Sequence, residues 1–324
     1  MCFSDSRPTG TLAAMKYLNP APNALPATLA RPPGITAGPL DARAGGVMLL
    51  LCCLWGLQQV SLKAVTAQAG PMLMIGLRSG IALLLLAGLM RWRGEALDRR
   101  RWAAGAAAGS LFALEFLLVA LALQLTQASH VVVFLYTSPL FTALGLHWRL
   151  PAERLDRRRW AGIGLAFGGI ALAFLRGGLA PDGSALLGDL LAVLAGLAMG
   201  ATTVTIRCTR LAAAPATETL CYQLLGAFVL LLPGAWATGQ WRFEPTAAVW
   251  AHLAFQSLVV SFASFLAWFW LLRRYLASRL GAFTFMTPLF GVLLGVWLLG
   301  EALSPSFMAG SLLVLAGVAL ASKP

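Results

Sequence analysis

A six-residue stretch near the middle of the chain returns close to its end. Residues 136–141 read Tyr-Thr-Ser-Pro-Leu-Phe, and residues 285–290, 149 positions later, read Phe-Met-Thr-Pro-Leu-Phe. After a one-residue slip, Glu153 recurs as Glu301. A chain that repeats itself in this way is built from two copies of one unit. The number of helices between the copies decides whether the second copy is inverted.

The composition indicates that the solvent of this chain is lipid. Hydrophobic residues make up 59% of 324 and charged residues 11%, whereas a soluble domain carries about 25% charged residues. The net charge of +12 comes from short basic clusters between apolar runs, as the positive-inside rule requires, and not from a basic surface for nucleic acid. The five cysteines show no CxxC or Cys/His spacing and are interpreted as small buried hydrophobes.

The apolar runs after residue 43 have the length of about 20 residues that a crossing needs. Between Arg101 and Arg149 the only formal charge is Glu115, and this stretch suits two crossings folded at 125–129. The Pro-rich residues 1–43 lack an apolar run and are predicted to form a disordered cytoplasmic tail. We predict ten crossings, at 44–62, 71–90, twice within 101–149, 160–175, 185–206, 217–236, 247–272, 280–300 and 304–321.

The basic residues give these crossings an orientation. With the N-terminus inside, twenty of the 24 Lys and Arg residues fall on the inner side. Lys63, Arg176 and Arg242 fall outside, and Arg78 lies within a crossing. One missed crossing would reverse every later loop, so the asymmetry supports ten crossings with both termini cytoplasmic. The arginine clusters at 99–101 and 157–159 are expected to bind anionic lipid.

Five crossings separate the two copies of the repeat, and an odd number turns the second copy upside down. Gly56 and Pro71 also recur, 144 residues on, as Gly200 and Pro215. We therefore predict an all-α integral membrane protein with ten transmembrane helices in two inverted five-helix repeats. The repeats span 44–176 and 185–322, and residues 177–184 form an external linker.

Several motifs recur in the order that one known family shows. They are Trp55-Gly56 with Lys63, Pro71 with Arg78, residues 126–129 leading to Pro139, Glu153 and Gly162, and then Pro288, Gly300-Glu301, Gly310 and Gly317. Over residues 44–322 the chain resembles the EamA-type ten-helix members of the drug/metabolite transporter superfamily, with Ala152 standing where the family usually has glycine. The resemblance implies an exporter or permease for small metabolites in a bacterial inner membrane, without ATP hydrolysis, and it leaves the substrate open.

Two prolines lie inside predicted crossings. Pro139 and Pro288 each free a backbone carbonyl, that of Leu135 or Thr284. In lipid such a carbonyl faces protein or a water-filled cavity. One interpretation is a pair of kinks that line a central substrate path together with Thr284 and the hydroxyls of Ser138 and Thr287. The other is a packing kink satisfied by a neighbouring helix.

Glu115 is predicted to lie about 13 Å deep in a half-bilayer of about 15 Å, and Arg78 about 10 Å deep from the same face. An intramembrane acid is a functional hypothesis by default. Three interpretations stay open. The two residues form a structural salt bridge, Glu115 exchanges a proton and couples export to the proton gradient, or the two hold the ends of a zwitterion such as an amino acid.

Other polar and aromatic groups within the crossings complete the candidate substrate path, namely Trp55, Gln59, Tyr136 and Tyr222. Aromatic rings there could stack on a planar or cationic substrate, or all four could be interhelical contacts. Gly105, Gly109, Gly164 and Gly168 are interpreted as sites of close helix packing. The histidines have no metal-ligand spacing, and no P-loop is present, so neither a metal nor any other cofactor is expected.

These patterns favour a secondary transporter that exports small metabolites, such as amino acids or drug-like compounds, by alternating access through a central cavity. One alternative is an importer of a phosphorylated or nucleotide-like solute held by Arg78. Another is an integral-membrane enzyme acting on lipid-linked substrates, which would need a cluster of His, Asp or Glu at one membrane face. A non-transporting scaffold would not need an intramembrane acid. The sequence leaves the oligomeric state open.

Overall fold

Helices make up the regular structure of this chain. The computed structural model describes residues 42–149, 154–175, 183–274, 283–284 and 286–322, and in these ranges the β-structure is one isolated bridge between Ala69 and Phe243. The helices are α1 (Ala42–Ala64), α2 (Pro71–Trp92), α3 (Trp102–Leu125), α4 (Ala128–Leu135), α5 (Ser138–Arg149), α6 (Arg157–Leu175), α7 (Ser184–Cys208), α8 (Ala216–Ala237), α9 (Ala247–Ala254), α10 (Phe265–Arg274), α11 (Met286–Leu299) and α12 (Pro305–Ser322). A π-helix, Phe255–Ser264, joins α9 to α10.

These helices form ten apolar segments within the described ranges. Seven are long and apolar enough to cross a membrane, two of them composite: α4 with α5, and α9 continuing through the π-helix. The shorter apolar helices α11 and α12 supply two more. The tenth, α6, places three arginines before its apolar run. The predicted fold class is confirmed, and the fold between crossings 3 and 4 falls at Thr126 and Gln127, as predicted.

Some predicted features fall wholly or partly outside the described residues. The tail predicted at 1–43 does so except at Ala42 and Arg43, which already belong to α1. The linker is described only at Gly183 and Ser184. Glu153 and Phe285 are also outside the described residues.

Contacts along α7 define its direction. Gly188 packs on Thr126, Gly196 on the carbonyl of Phe134, and Gly200 on that of Ser138. Residue numbers rise together on both sides, so α7 runs parallel to the fourth crossing. The fourth crossing runs opposite to α1 because the chain reverses direction three times between them. The first helix of the second half is therefore antiparallel to the first helix of the first half, which is the geometry of an inverted repeat.

Equivalent residues in the two halves also make equivalent contacts. A side-chain carbon on Gly56 would lie 3.0 Å from the carbonyl oxygen of Thr287, and one on Gly200 would lie 3.0 Å from that of Ser138. The repeat pairs Gly56 with Gly200 and Ser138 with Thr287. Glycine is needed at both places because the helix backbones touch there.

The last helices of the two halves pack as an antiparallel pair. Gly162 of α6 lies against Ala321 of α12, and Gly310 of α12 lies against Ala173 of α6. The predicted packing role of Gly164 and Gly168 is wrong, since a side chain at either position would meet nothing within 4 Å. Residues two apart point to different sides of a helix, and the contact face of α6 is the one that carries Gly162.

The other predicted packing glycines lie between α3 and α8. Gly105 packs on the ring of Tyr222, and Gly109 packs on the Tyr222 carbonyl and the backbone of Gly226. This close contact joins the third helix of the first half to the second helix of the second half.

Tryptophan marks both faces of the bundle. Nine of the 11 tryptophans are exposed and lie near helix ends, at positions 92, 102, 148, 160 and 270 towards one face and 236, 241, 250 and 297 towards the other. Exposed rings at these two levels form the aromatic belts of a membrane protein. The remaining two, Trp55 and Trp268, contact each other instead, with ring centroids 5.8 Å apart in an edge-to-face arrangement.

Candidate substrate site

The fourth crossing is broken between α4 and α5. Thr137 closes the break, because its hydroxyl donates to the Phe134 carbonyl at 2.6 Å. Pro139 is thus the second residue of α5 and does not kink a continuous helix. The carbonyls of Phe134 and Leu135 face the backbone of Gly196. On this side the contact favours the second interpretation, a proline in helix packing, over a carbonyl that lines a cavity.

The second proline lies in a similar setting. Pro288 is the third residue of α11, and the Thr284 carbonyl accepts a hydrogen bond from the Thr287 amide at 3.0 Å. The predicted free carbonyl of Thr284 is therefore occupied. The side-chain hydroxyl of Thr287, in contrast, is buried without a hydrogen-bond partner.

Five side chains from both halves are linked by electrostatic and side-chain interactions in the interior of the bundle: Cys52, Arg78, Glu115, Tyr136 and Thr287. Tyr136 lies beside Thr287, and both Cys52 and Glu115 are within electrostatic range of its phenol. Glu115 in turn interacts electrostatically with Arg78. We call these five residues the central cluster. It joins α1, α2, α3 and the α4–α5 break to α11 of the second half.

Arg78 is held by neutral partners. Its Nη1 donates to Gln256 Oε1 at 2.6 Å, and its guanidinium lies 4.6 Å from the centroid of the Phe116 ring. Gln256 also donates to the Gln58 carbonyl at 2.8 Å, so this one amide ties the π-helix to α1 and α2. Of the three interpretations of Arg78 and Glu115, the structural salt bridge is not observed, because the two groups interact electrostatically without ion-pair contact. Arg78 Nε has no hydrogen-bond partner.

Glu115 carries the acidic group that interacts electrostatically with Arg78. The side chain is 4% exposed. Within the described residues it makes neither a hydrogen bond nor an ion pair. Burying a carboxylate without a partner is costly, so this position is not explained by stability. The nearby positive charge of Arg78 offsets part of that cost.

An aromatic wall lies on the α1 side of the bundle. Trp55 Nε1 donates to Ser264 Oγ at 3.1 Å, and Ser264 in turn donates to the Val260 carbonyl. Trp268 completes the wall at the start of α10. Gln59 lies one turn beyond Trp55, and its buried Oε1 has no hydrogen-bond partner.

Two predicted path residues make their contacts elsewhere. The Tyr222 hydroxyl donates to Glu218 at 3.4 Å, and Glu218 pairs with Arg101 at 2.6 Å. Tyr222 thus belongs to a cluster at the arginine-rich ends of α3 and α8. Ser138 contacts the backbone of Gly200 through its carbonyl. Neither residue belongs to the central cluster.

Sequence reasoning did not assign Gln256, Ser264 or Trp268 to the candidate substrate path. Polar residues recur in the eighth crossing at positions 256, 257, 261 and 264, all buried. This recurrence could have pointed to the eighth crossing as a lining helix. Trp268 lies two residues before the exposed Trp270, and no sequence signal distinguishes it. Within the described residues, no group of three or more His, Cys, Asp and Glu could hold a metal ion.

Ten crossings in two inverted halves, with a buried polar cluster between them, define a membrane transporter. The chain belongs to the EamA-like transporter family, which it matches over residues 43–175 and 186–323. The predicted membership is thereby confirmed.

Relatives and a solved structure agree with this assignment. The chain is 23% identical to the uncharacterized transporter YoaV of Bacillus subtilis, covering 82% of this chain and 91% of that protein. It is 28% identical to an uncharacterized transporter of Archaeoglobus fulgidus, covering 65% and 71%. A Pseudomonas aeruginosa protein is 30% identical, covering 85% and 89%. One crystal structure shares the fold, with a TM-score of 0.59, 22% identity, and coverage of 86% and 95%.

Proposed function

We propose that the protein is a secondary exporter of small zwitterionic or aromatic metabolites, amino acids included, with the central cluster as its substrate site. One observation carries the proposal: Arg78 and Glu115 are buried close together without forming an ion pair. A substrate carboxylate can bind the unpartnered Nε of Arg78, and a substrate ammonium can bind Glu115. The Trp55–Trp268 wall offers a face for an aromatic or cationic group.

Glu115 would also couple export to the proton gradient. A single buried carboxylate can hold a proton or a substrate ammonium, but not both at once. Competition between the two is the minimal requirement for exchanging a substrate for a proton. Rocking of the inverted halves around the cluster would expose the carboxylate to each side in turn.

Import of a phosphorylated solute is less well supported. Arg78 is the one basic residue of the central cluster, and its Nη1 is already bound by Gln256. The Glu115 carboxylate beside it would repel a phosphate. An enzyme acting on lipid-linked substrates would need a cluster of acids and histidines, and the described residues offer none of metal-binding size.

We also propose that the protein lies in a bacterial inner membrane, as the family resemblance implies, with both termini inside, as the charge asymmetry of its loops indicates. Single cysteines replacing Arg157 and Glu244, both exposed, would test this orientation in a background with the exposed Cys208 changed to serine. An impermeant thiol reagent added to intact cells should label Glu244→Cys and spare Arg157→Cys. Labelling with the reverse pattern would overturn the orientation.

Transport can be tested in proteoliposomes loaded with a panel of unlabelled amino acids. Each amino acid of the panel is added in radiolabelled form outside the proteoliposomes. At least one of them should show counterflow, and addition of that compound should change the fluorescence of Trp55 and Trp268. A Trp268→Phe variant should reduce the fluorescence response. Absence of counterflow and of any fluorescence change across the panel would contradict the proposed substrate class.

A further inference from the structure

The turn between α3 and α4 makes hydrogen bonds with two charged residues, one at the end of another helix and one in a loop. Glu301, in the loop between α11 and α12, accepts hydrogen bonds from the Ala128 amide at 2.6 Å and the Ser129 amide at 2.9 Å. Lys63, at the end of α1, donates to the carbonyls of Leu123 at 2.5 Å and Thr126 at 2.8 Å. The acid thus meets the N-terminus of α4, and the base meets the C-terminus of α3. Each charge complements the helix dipole that it contacts.

The turn that these two residues contact is also held by α7. The Thr126 hydroxyl donates to Asp189 of α7 at 2.6 Å, and the same carboxylate contacts His130 at 3.0 Å. Helix α11 packs on both α1 and α4, because Gly56 of α1 lies against Thr287 and Gly291 lies against Val132 of α4. Lys63 at the end of α1 and Glu301 after α11 therefore join these two helices to the α3–α4 turn, at the end of the bundle away from the arginine clusters.

We propose that Glu301 and Lys63 form an outer latch, which keeps the central cluster closed to the outside and must release for the substrate to leave. The idea rests on the proposed alternating-access function. The latch groups are half-buried, and a cavity of about 250 Å³, whose lining includes the polar side chains of Lys63, Gln127 and His130, adjoins them. When Glu301 and Lys63 leave the turn, water in this cavity can hydrogen-bond to the backbone amides and carbonyls that they occupied. Release of the latch therefore leaves no buried polar group without a partner.

The fold accommodates the latch by specific residues. Gly295 of α11 leaves room for the carboxylate, since a side-chain carbon there would lie 2.6 Å from Glu301 Oε2. Gly300 adopts a φ of +66°, which favours glycine and turns the chain towards the loop. The repeat offset that pairs Gly56 with Gly200 also pairs Lys63 with Arg207, so a basic residue ends the first helix of each half.

The test uses Cys52 of the central cluster as a reporter. An impermeant thiol reagent is added to intact cells without substrate, and modification of the Cys52 peptide is followed by mass spectrometry. Glu301→Gln should speed modification by at least about tenfold, because a hydrogen bond to a charged group is worth more than a tenfold change in an equilibrium. Glu244→Gln, which alters an exposed carboxylate on the same face, is the matched control and should leave the rate unchanged. An unchanged rate in Glu301→Gln overturns the latch.

A cross-link makes the test independent of any folding defect in that variant. Gln127 Nε2 donates to the Ala302 carbonyl at 3.2 Å, so residue 127 lies within about one glutamine side-chain length of residue 302. The double variant Gln127→Cys with Ala302→Cys should, when oxidised, suppress both Cys52 modification and flux, and reduction should restore them. Equal Cys52 modification before and after reduction would refute the latch. Modification of Cys52 is measured without substrate, so it tests the latch independently of transport. If the variants change Cys52 modification but the protein transports none of the tested substrates, only the proposed function is rejected.

Discussion

Replacing Glu115 with glutamine is expected to abolish the accumulation of substrate that a pH gradient drives. If one proton exchanges for one substrate molecule, a gradient of one pH unit supports about tenfold accumulation, since about 1.4 kcal/mol corresponds to a factor of ten. Glutamine keeps the size of the side chain but cannot release a proton. The accumulation ratio in proteoliposomes with an acidic lumen should therefore fall from about ten to about one.

The same variant should retain exchange of substrate for substrate, with a raised KM because the ammonium loses its counter-charge. Counterflow without a pH gradient measures this retained activity and shows that the protein is folded. Glu244→Gln, at an exposed position, should behave like the wild type in both assays. Gradient-driven accumulation at the wild-type level in Glu115→Gln would remove this residue from the coupling step.

Replacing Arg78 with methionine is expected to cause the largest loss of stability among the central residues. The substitution removes the hydrogen bond to Gln256 and the contact with Phe116. It also leaves Glu115 without the one positive charge in its surroundings. Leaving a buried charge uncompensated costs about 3–5 kcal/mol, so thermal unfolding in detergent, followed by tryptophan fluorescence, should shift by several degrees to lower temperature.

A double-variant cycle separates the electrostatic part of this effect from the packing part. Glu115→Gln introduced into Arg78→Met removes the uncompensated carboxylate and should recover part of the lost stability. Arg242→Met, on an exposed arginine, is the control for loss of a positive charge and should shift the unfolding temperature little. Strictly additive effects of the two central substitutions would mean that Arg78 and Glu115 do not interact.

Predictions of depth succeeded better than predictions of direction around a helix axis. Spacing along the chain placed Arg78 and Glu115 at similar depths, and the structure brings them within electrostatic range. It did not reveal that Gln256, on a helix far away in sequence, would take the hydrogen bond. Tyr222 also lies within a crossing, yet it faces Gly105 instead of the central cluster. Rotation about the axis is set by packing, and the apolar pattern here is too uniform to indicate which side faces inward.

Breaks in the helices were harder still to predict. Proline at 139 and 288 indicated two places where the backbone departs from regular geometry. The neighbouring helix decides whether such a break lines a cavity or is packed. At the break before Pro139, the backbone of α7 at Gly196 packs against the carbonyls of Phe134 and Leu135. The π-helix at Phe255–Ser264 had no sequence signal beyond its buried polar residues.

The sequence by itself determined the membrane class, the ten crossings and the two-fold repeat. Crossing length is fixed by the bilayer, charge asymmetry by insertion, and the repeat by the residues themselves, so none of these depends on distant contacts. Only the tertiary structure decided that Arg78 and Glu115 do not form an ion pair with each other, and that Lys63 and Glu301 form hydrogen bonds with the α3–α4 turn. Those arrangements depend on how helices from opposite halves rotate and pack against each other, and the contact of Glu301 with Ala128, for example, joins residues 173 positions apart in the chain.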